Sequence, residues 1–289
     1  MQSTDQLTNC LAENDTGGVA MDLGLRGDVA VVLGAAGGIG RAIAQEFVKE
    51  GARIALLDRD LAVLELAAQL SGGSAGQVIG QVVDVTNYSQ MQQIATSLEE
   101  TLGPVAHVVF AVGIGSGKTG FPFWNIEPEA WGRVFAVDLF GAVHTLHAFT
   151  PSMIERRRGT FAFLASVAGQ TGSQTDPPYS AAKAALINLV QCAAKDLAPY
   201  DIRVNSLNPG MVDTPLSQQI WAASNHHLPE AERPDYEAWA QDKLKRMVPL
   251  NRWVEPQDVA AMAVFLASAR AQNITGQALN VDGGYVMHS

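Results

Sequence analysis

Tyr179-Ser180-Ala181-Ala182-Lys183 sets a phenol and an ammonium four residues apart. On a helix that spacing brings both onto one face, close enough to interact. A phenol titrates near ~10 in water, too high for an efficient base at neutral pH, and an adjacent ammonium stabilises the phenolate and lowers that value. Tyr179 is therefore the candidate for exchanging a proton with a substrate oxygen, and Lys183 the group that tunes it. Ser166 ends an apolar run over 159–166 and offers a hydroxyl that could polarise the same oxygen. Singly, Ser166 reads as a turn residue and the Tyr/Lys pair is only suggestive. Together they describe proton transfer at an alcohol or carbonyl.

A second group of residues suits a dinucleotide. Gly34-Ala35-Ala36-Gly37-Gly38-Ile39-Gly40 precedes a helical pattern over 41–50. Glycines there let the backbone approach a pyrophosphate, and the helix start offers N–H groups and the positive end of its dipole. Gly34, Gly38 and Gly40 form G-x-x-x-G-x-G rather than the commoner G-x-G-x-x-G. Asp58 lies about twenty residues beyond the glycines, at the end of the next apolar run, where a carboxylate can accept both hydroxyls of an adenosine ribose. A 2′-phosphate beside it would bring like charges together, which selects NAD over NADP. Arg59 argues the other way. Gly117-Lys118-Thr119 looks like the end of a P-loop, but position 112 is Val where that motif needs Gly, so Lys118 reads as an exposed loop residue.

The elements that must position these residues alternate. Short runs rich in Val, Ile and Ala predict strands over 28–33, 53–58, 77–84, 106–112, 159–166, 203–208 and 277–281, separated mostly by stretches of helical period. This rhythm builds a doubly wound parallel seven-stranded sheet with helices on both faces, in an α/β domain over 23–289. The carboxyl edge of such a sheet is where ligands bind, which is where Ser166 and the glycine turn fall. One stretch, 211–252, breaks the rhythm: polar and aromatic, with Trp221, His226, His227 and Trp239, it reads as a long substrate loop. Residues 1–22 are polar, without a basic start or an apolar run, and read as a flexible tail, with a true start at Met21 the alternative.

The bulk properties narrow the partners. In 289 residues of formal net charge −10 there is no basic stripe to neutralise phosphates, so nucleic acid is not expected as a partner. Arg156-Arg157-Arg158 reads as a solvated helix end. No membrane span is evident. The two cysteines, Cys10 and Cys192, suit a reducing compartment and form no metal-ligand pair, so the expectation is a cytoplasmic protein without metal.

Taken in order, the glycine pattern, Asp58, Asp84-Val85, Ser166, Tyr179 with Lys183, Asn208-Pro209-Gly210 and Val281-Asp282-Gly283-Gly284 resemble the classical short-chain dehydrogenase/reductase family over residues 23 to 289. The resemblance implies a single-domain Rossmann fold in which Tyr179 is the general acid/base, Lys183 lowers its pKa and holds the nicotinamide ribose, and Ser166 orients the substrate. It also implies cofactor contacts from Gly34, Gly38, Ile39, Gly40, Asp58, Ala111, Gly113, Tyr179, Lys183, Pro209 and Gly210, with Asp84 and Val85 against the adenine and Val212 and Thr214 near the carboxamide. Such proteins pair the helices corresponding to 127–150 and 179–199, which implies a homotetramer or homodimer. The chain departs from the family at Leu33, where Thr is usual, and at Ala111-Val112-Gly113, where Asn-Ala-Gly is usual. Both departures remove polar groups, and losing them together leaves no buried partner unpaired. At Asp138 the family's fourth catalytic residue is Asn. Either its carboxylate holds the ammonium of Lys183 and weakens the effect on Tyr179, or its backbone carbonyl serves and the side chain matters little.

The expected activity is NAD-dependent hydride transfer with a secondary alcohol, the leading substrates being a sugar, polyol or hydroxy acid. Trp221, His226 and Trp239 are candidates to touch it, or to pack a lid. A 3-oxoacyl thioester (acyl-carrier-protein) reductase shares every motif; Asp58 and the lack of a basic patch for an acidic carrier count against it. A catalytically inactive nucleotide-binding protein would have no use for Ser166, Tyr179 and Lys183 together.

Overall fold

The computed structural model describes residues 22–287 apart from 73–76, 119–121, 174, 214, 226–227 and 230–231. The expected tail, Asp22 excepted, lies outside the described residues, as do Thr214, His226 and His227.

The strands are β1 (Val29–Leu33), β2 (Arg53–Asp58), β3 (Val78–Val82), β4 (Val105–Phe110), β5 (Gly159–Leu164), β6 (Ile202–Pro209) and β7 (Ala278–Val281). They pair in parallel in the order β3-β2-β1-β4-β5-β6-β7. The helices are α1 (Gly38–Lys49), α2 (Ala62–Ser71), α3 (Tyr88–Leu102), α4 (Pro128–Phe135), α5 (Gly141–Arg156), α6 (Pro177–Leu197), α7 (Pro215–Asn225), α8 (Tyr236–Met247) and α9 (Pro256–Ala267). A strand covered on both faces must be apolar on both, and β1 is: Val29, Val31 and Leu33 enter one core, Ala30 and Val32 the other. The first core takes Met91 of α3, Phe149 of α5 and Leu186 of α6; the second takes Ile43 of α1, Leu66 of α2 and Val259 of α9. This is the doubly wound Rossmann architecture expected. Its strand order reverses between β1 and β4, which opens a crevice at their carboxyl ends.

Several boundaries differ from the sequence expectation. The third strand stops at Val82 rather than 84, because the Asp84 carboxylate turns back to accept from Thr86 N (2.9 Å) and Thr86 Oγ1 (2.8 Å). The fifth stops at Leu164 rather than 166, since Ser166 caps a short 3₁₀ turn over Val167–Gly169. The fourth, expected over 106–112, ends at Phe110. The helix expected over 127–150 is α4 and α5 joined by a π-helical segment, Ala136–Phe140, in which the Gly141 N–H reaches the Ala136 carbonyl. The expected helix from 179 starts two residues earlier, with Asp176 as N-cap and Pro177 in the first turn.

The stretch 211–252, expected as a loop, holds two helices, α7 and α8. The sequence hides α8 because it buries only Ala240 and Leu244 and so carries no apolar stripe. Its start signal is Asp235, whose carboxylate accepts from Ala238 N at 2.7 Å. Trp221 packs these helices together: its Nε1 donates to the Pro234 carbonyl at 3.1 Å and its ring meets Tyr236 edge-on. The basic run lies at the surface as expected: Arg157 and Arg158 stay exposed while they pair with Asp201 and Asp28, and Arg156, half-buried, binds Glu99. Lys118 is exposed, as read.

Candidate active site

At the carboxyl ends of β1, β2 and β4 the chain encloses a cavity of about 560 Å3 lined by Gly34, Asp58, Asp84, Val85, Ala111 and Gly113, among others. Its floor is backbone. Gly34 has φ +79°, and a Cβ there would sit 2.7 Å from the Ala111 carbonyl oxygen. A Cβ on Gly40 would sit 2.1 Å from the Gly34 oxygen, so only glycine lets α1 start this close to the turn. No side chain caps α1, whose first N–H groups face the turn side as an anion site would require. Gly38 and Gly40 belong to this helix start, Gly38 as its first residue. The Asp58 carboxylate accepts from Ala36 N (2.9 Å) and Asp60 N (3.0 Å), which locks it at the rim, with acceptor capacity left for a diol. Arg59 lines the same rim. These residues fit a dinucleotide.

A second cavity, of about 270 Å3, shares Ala111, Val112 and Gly113 with the first and is lined by Ile39, Ser166, Tyr179, Lys183, Pro209, Gly210 and Val212. The structure thus brings together the residues that the sequence singled out for catalysis. Lys183, on α6, is 2% exposed and its Nζ donates to the carbonyls of Leu164 (2.8 Å) and Val112 (3.4 Å). It lies 5.4 Å from the centre of the Tyr179 ring. Burial raises the Tyr179 pKa above its ordinary value; Lys183, and then the Ser166 hydroxyl, pull it down without overcoming burial and the negative charge of Asp138. The sequence expectation of a lowered phenol pKa is therefore corrected: the ammonium acts with the expected sign, but desolvation outweighs it.

Asp138 lies on the π-helical segment, fully buried, with Oδ2 at 3.2 Å from Lys183 Nζ. Its Oδ1 accepts from Ile114 N at 2.9 Å, while Oδ2 has no hydrogen-bond partner beyond that ion pair. Burial raises this carboxyl's pKa more than Lys183 lowers it. Of the two sequence readings, the geometry is that of the first: a side chain placed against the ammonium.

Some lining residues escaped the sequence reading. Asp176 accepts from Ser116 N (2.8 Å) and Tyr179 N (3.4 Å), so it both starts α6 and orients its first turn; the signal was Asp before Pro-Pro. Lys243, Trp253 and Tyr285 join Trp239 in lining this cavity. Nothing in their local sequence marks them, since only the packing of α8 and the chain's end brings them there. Trp221 is not among the lining residues.

A family model described as enoyl-(acyl carrier protein) reductase matches residues 34–286. The 2-(S)-hydroxypropyl-CoM dehydrogenase 3 of Xanthobacter autotrophicus is 34% identical over 264 residues, which cover 90% of this chain and 97% of that protein. The galactitol 2-dehydrogenase of Agrobacterium fabrum is 34% identical over 263 residues, 90% of this chain and 98% of its own. Among solved structures, the L-sorbose reductase of Gluconobacter frateurii, complexed with NADPH and L-sorbose, matches with a TM-score of 0.84 at 30% identity, covering 93% of this chain and 100% of that one.

Proposed function

The chain belongs to the classical short-chain dehydrogenase/reductase family, and from that premise we propose that it is an NAD-dependent dehydrogenase of a secondary alcohol, acting on a sugar, polyol or hydroxy acid. The observation that carries this reading is the convergence of Ser166, Tyr179 and Lys183 on one cavity that shares Ala111, Val112 and Gly113 with the glycine-floored one.

In this reading Ser166 donates a hydrogen bond to the substrate oxygen, and Tyr179 takes the hydroxyl proton as the carbon gives up its hydride; the reverse direction returns it. Lys183 stabilises the phenolate that must form transiently in a buried place. When bound, NAD supplies the hydride acceptor. Its holders would be Gly34, Gly38, Ile39 and Gly40 at the pyrophosphate, Asp58 at the adenosine ribose, Asp84 and Val85 at the adenine, and Ala111, Gly113, Pro209, Gly210, Val212 and Thr214 toward the nicotinamide. The preference for NAD rests on Asp58, whose fixed carboxylate at the rim would repel a 2′-phosphate. The L-sorbose reductase holds NADPH, so likeness alone does not carry the choice. Assembly through α4–α5 and α6 into a homotetramer, or a homodimer, and a cytoplasmic setting belong to the same reading; Phe140, 54% exposed between α4 and α5, supports the first.

The test is NADH formation from NAD, with NADP in parallel, across sugars, polyols, hydroxy acids and simple secondary alcohols, with Tyr179→Phe alongside. Turnover lost in that variant supports the dehydrogenase. Because a 3-oxoacyl-[acyl-carrier-protein] reductase of Thermotoga maritima is 31% identical over 91% of this chain, a 3-oxoacyl thioester with NADH belongs in the panel; activity there alone would replace the alcohol reading.

A further inference from the structure

The substrate cavity contains charged groups, and all but one are engaged by the protein. Lys183 is held by two carbonyls and Asp138. Asp176, the cavity's acid, has each carboxylate oxygen taken by a backbone amide, from Ser116 and Tyr179. Lys243, projecting from α8, lines the cavity with Trp239, Trp253 and Tyr285, and among the described residues no carboxylate lies within ion-pair range of it and no acceptor hydrogen-bonds it. Its Nζ instead lies over the Trp239 ring, 4.8 Å from the ring centre. An aromatic face attracts a cation but accepts none of its three N–H bonds in the way an oxygen does. Burial lowers the Lys243 pKa, the nearby positive charge of Arg246 adds to that, and no acid offsets them.

Lys243 is half-buried, so its ammonium has given up part of its hydration against apolar walls, and a ligand oxygen would restore what was lost. Ser166 and Tyr179 line the same cavity as Lys243. Pockets of this kind use a few placed polar groups to orient an otherwise apolar ligand. Resting on the dehydrogenase reading above, we propose that Lys243 is the specificity-determining residue for a substrate whose secondary alcohol is joined through a short carbon chain to an anionic group, a carboxylate or a sulfonate. The hydroxyl end meets Ser166 and Tyr179, and the anionic end meets Lys243 on the wall built by α8, with Trp239 and Trp253 flanking the chain between. Among the substrates considered, this selects hydroxy acids over neutral sugars and polyols.

The experiment compares short hydroxy acids and hydroxyalkanesulfonates with the methyl esters of the same acids, in wild type, Lys243→Met and Lys243→Arg, reading kcat and KM separately. The expected result is a KM for the anions raised at least tenfold in Lys243→Met with kcat nearly unchanged, rescue in Lys243→Arg, and no change for the esters; the carboxylate and sulfonate arms tell which anion is preferred. Esters used as well as the anions by wild type, or equal losses for both in Lys243→Met, would overturn the proposal. A binding arm separates its fate from that of the dehydrogenase reading: the NADH-loaded protein is titrated with butyrate and with butyramide. If no alcohol is turned over but butyrate binds and Lys243→Met abolishes it, the anion site stands and the dehydrogenase reading falls. If alcohols are turned over but butyrate binds no better than butyramide, the reverse holds.

Discussion

The two ends of the central sheet each carry a cluster of ionisable side chains around a buried group, and the clusters are built in opposite ways. At the amino end, His107 on β4 is 4% exposed, with Nδ1 at 2.8 Å from Thr160 Oγ1 and Nε2 at 3.1 Å from Asp28 Oδ2, and Arg158 closes the set at 2.6 Å from the same oxygen. Every group has its partner. Burial alone would raise the Asp28 carboxyl, yet His107 and Arg158 bring it below its usual value. At the carboxyl end burial wins over the neighbours, and both Asp138 and Tyr179 are pushed up. Among the described residues, the buried side-chain oxygens without a hydrogen-bond partner are Asp138 Oδ2, Gln170 Oε1 and Asn208 Oδ1, and all three fall toward this end. A satisfied cluster ties elements together; an unsatisfied one keeps groups ready for something that arrives. The same sheet supports both because the reversal of strand order between β1 and β4 opens its crevice at the carboxyl end.

The contrast predicts that changes at the carboxyl end alter chemistry and binding first, and changes at the amino end alter stability alone. The largest effect expected is for Tyr179→Phe: a fall in kcat of roughly 10²–10⁴ with NADH affinity unchanged, checked by steady-state kinetics beside a fluorescence titration. Loss of cofactor binding instead would make Tyr179 structural and break the contrast. Next is Gly40→Ala, whose methyl would meet the Gly34 oxygen. NAD affinity should fall at least tenfold and stability by about 1–3 kcal/mol, read by calorimetric titration and by denaturant unfolding.

At the amino end the expected effect is on pH-dependent stability. Burial holds the His107 pKa below 6.5, so the folded chain binds fewer protons than the unfolded one as the pH falls. The stability this contributes is present above 6.5 and is lost as the pH drops below it toward the folded value. Asp28 adds a loss further down, below 3.8, as its own depressed pKa is crossed. His107→Gln should flatten the upper part of that loss, shifting the Tm at acid pH relative to neutral by a few degrees, with kcat unchanged. A variant with the wild-type pH slope would show that His107 is not the group responsible.

The smallest effect on turnover is expected for Asp138→Asn. The amide oxygen can still accept from Ile114 N, and Lys183 keeps its two carbonyls. Turnover at neutral pH should stay within a few-fold. Because the Asp138 charge raises the Tyr179 pKa, its removal should move the ascending limb of the kcat/KM profile to lower pH. A loss by orders of magnitude would show that the carboxylate itself is required.

What the sequence determined by itself was whatever local pattern encodes. All seven strands were readable because a parallel strand buried on both faces must be a short apolar run. The glycine turn was readable because only glycine tolerates the backbone approaches at 34 and 40, and the Tyr179–Lys183 pair because one helical turn separates them. The tertiary structure alone decided three matters. It turned 211–252 from an expected loop into α7 and α8, since α8 makes few buried contacts of its own and is held by Trp221, Tyr236 and Asp235. It placed the Asp138 carboxylate against Lys183, a contact between α6 and a π-helical segment far apart in sequence. It also set the direction of the Tyr179 pKa, because desolvation depends on everything that surrounds a group, while the sequence displays only its neighbours along one helix.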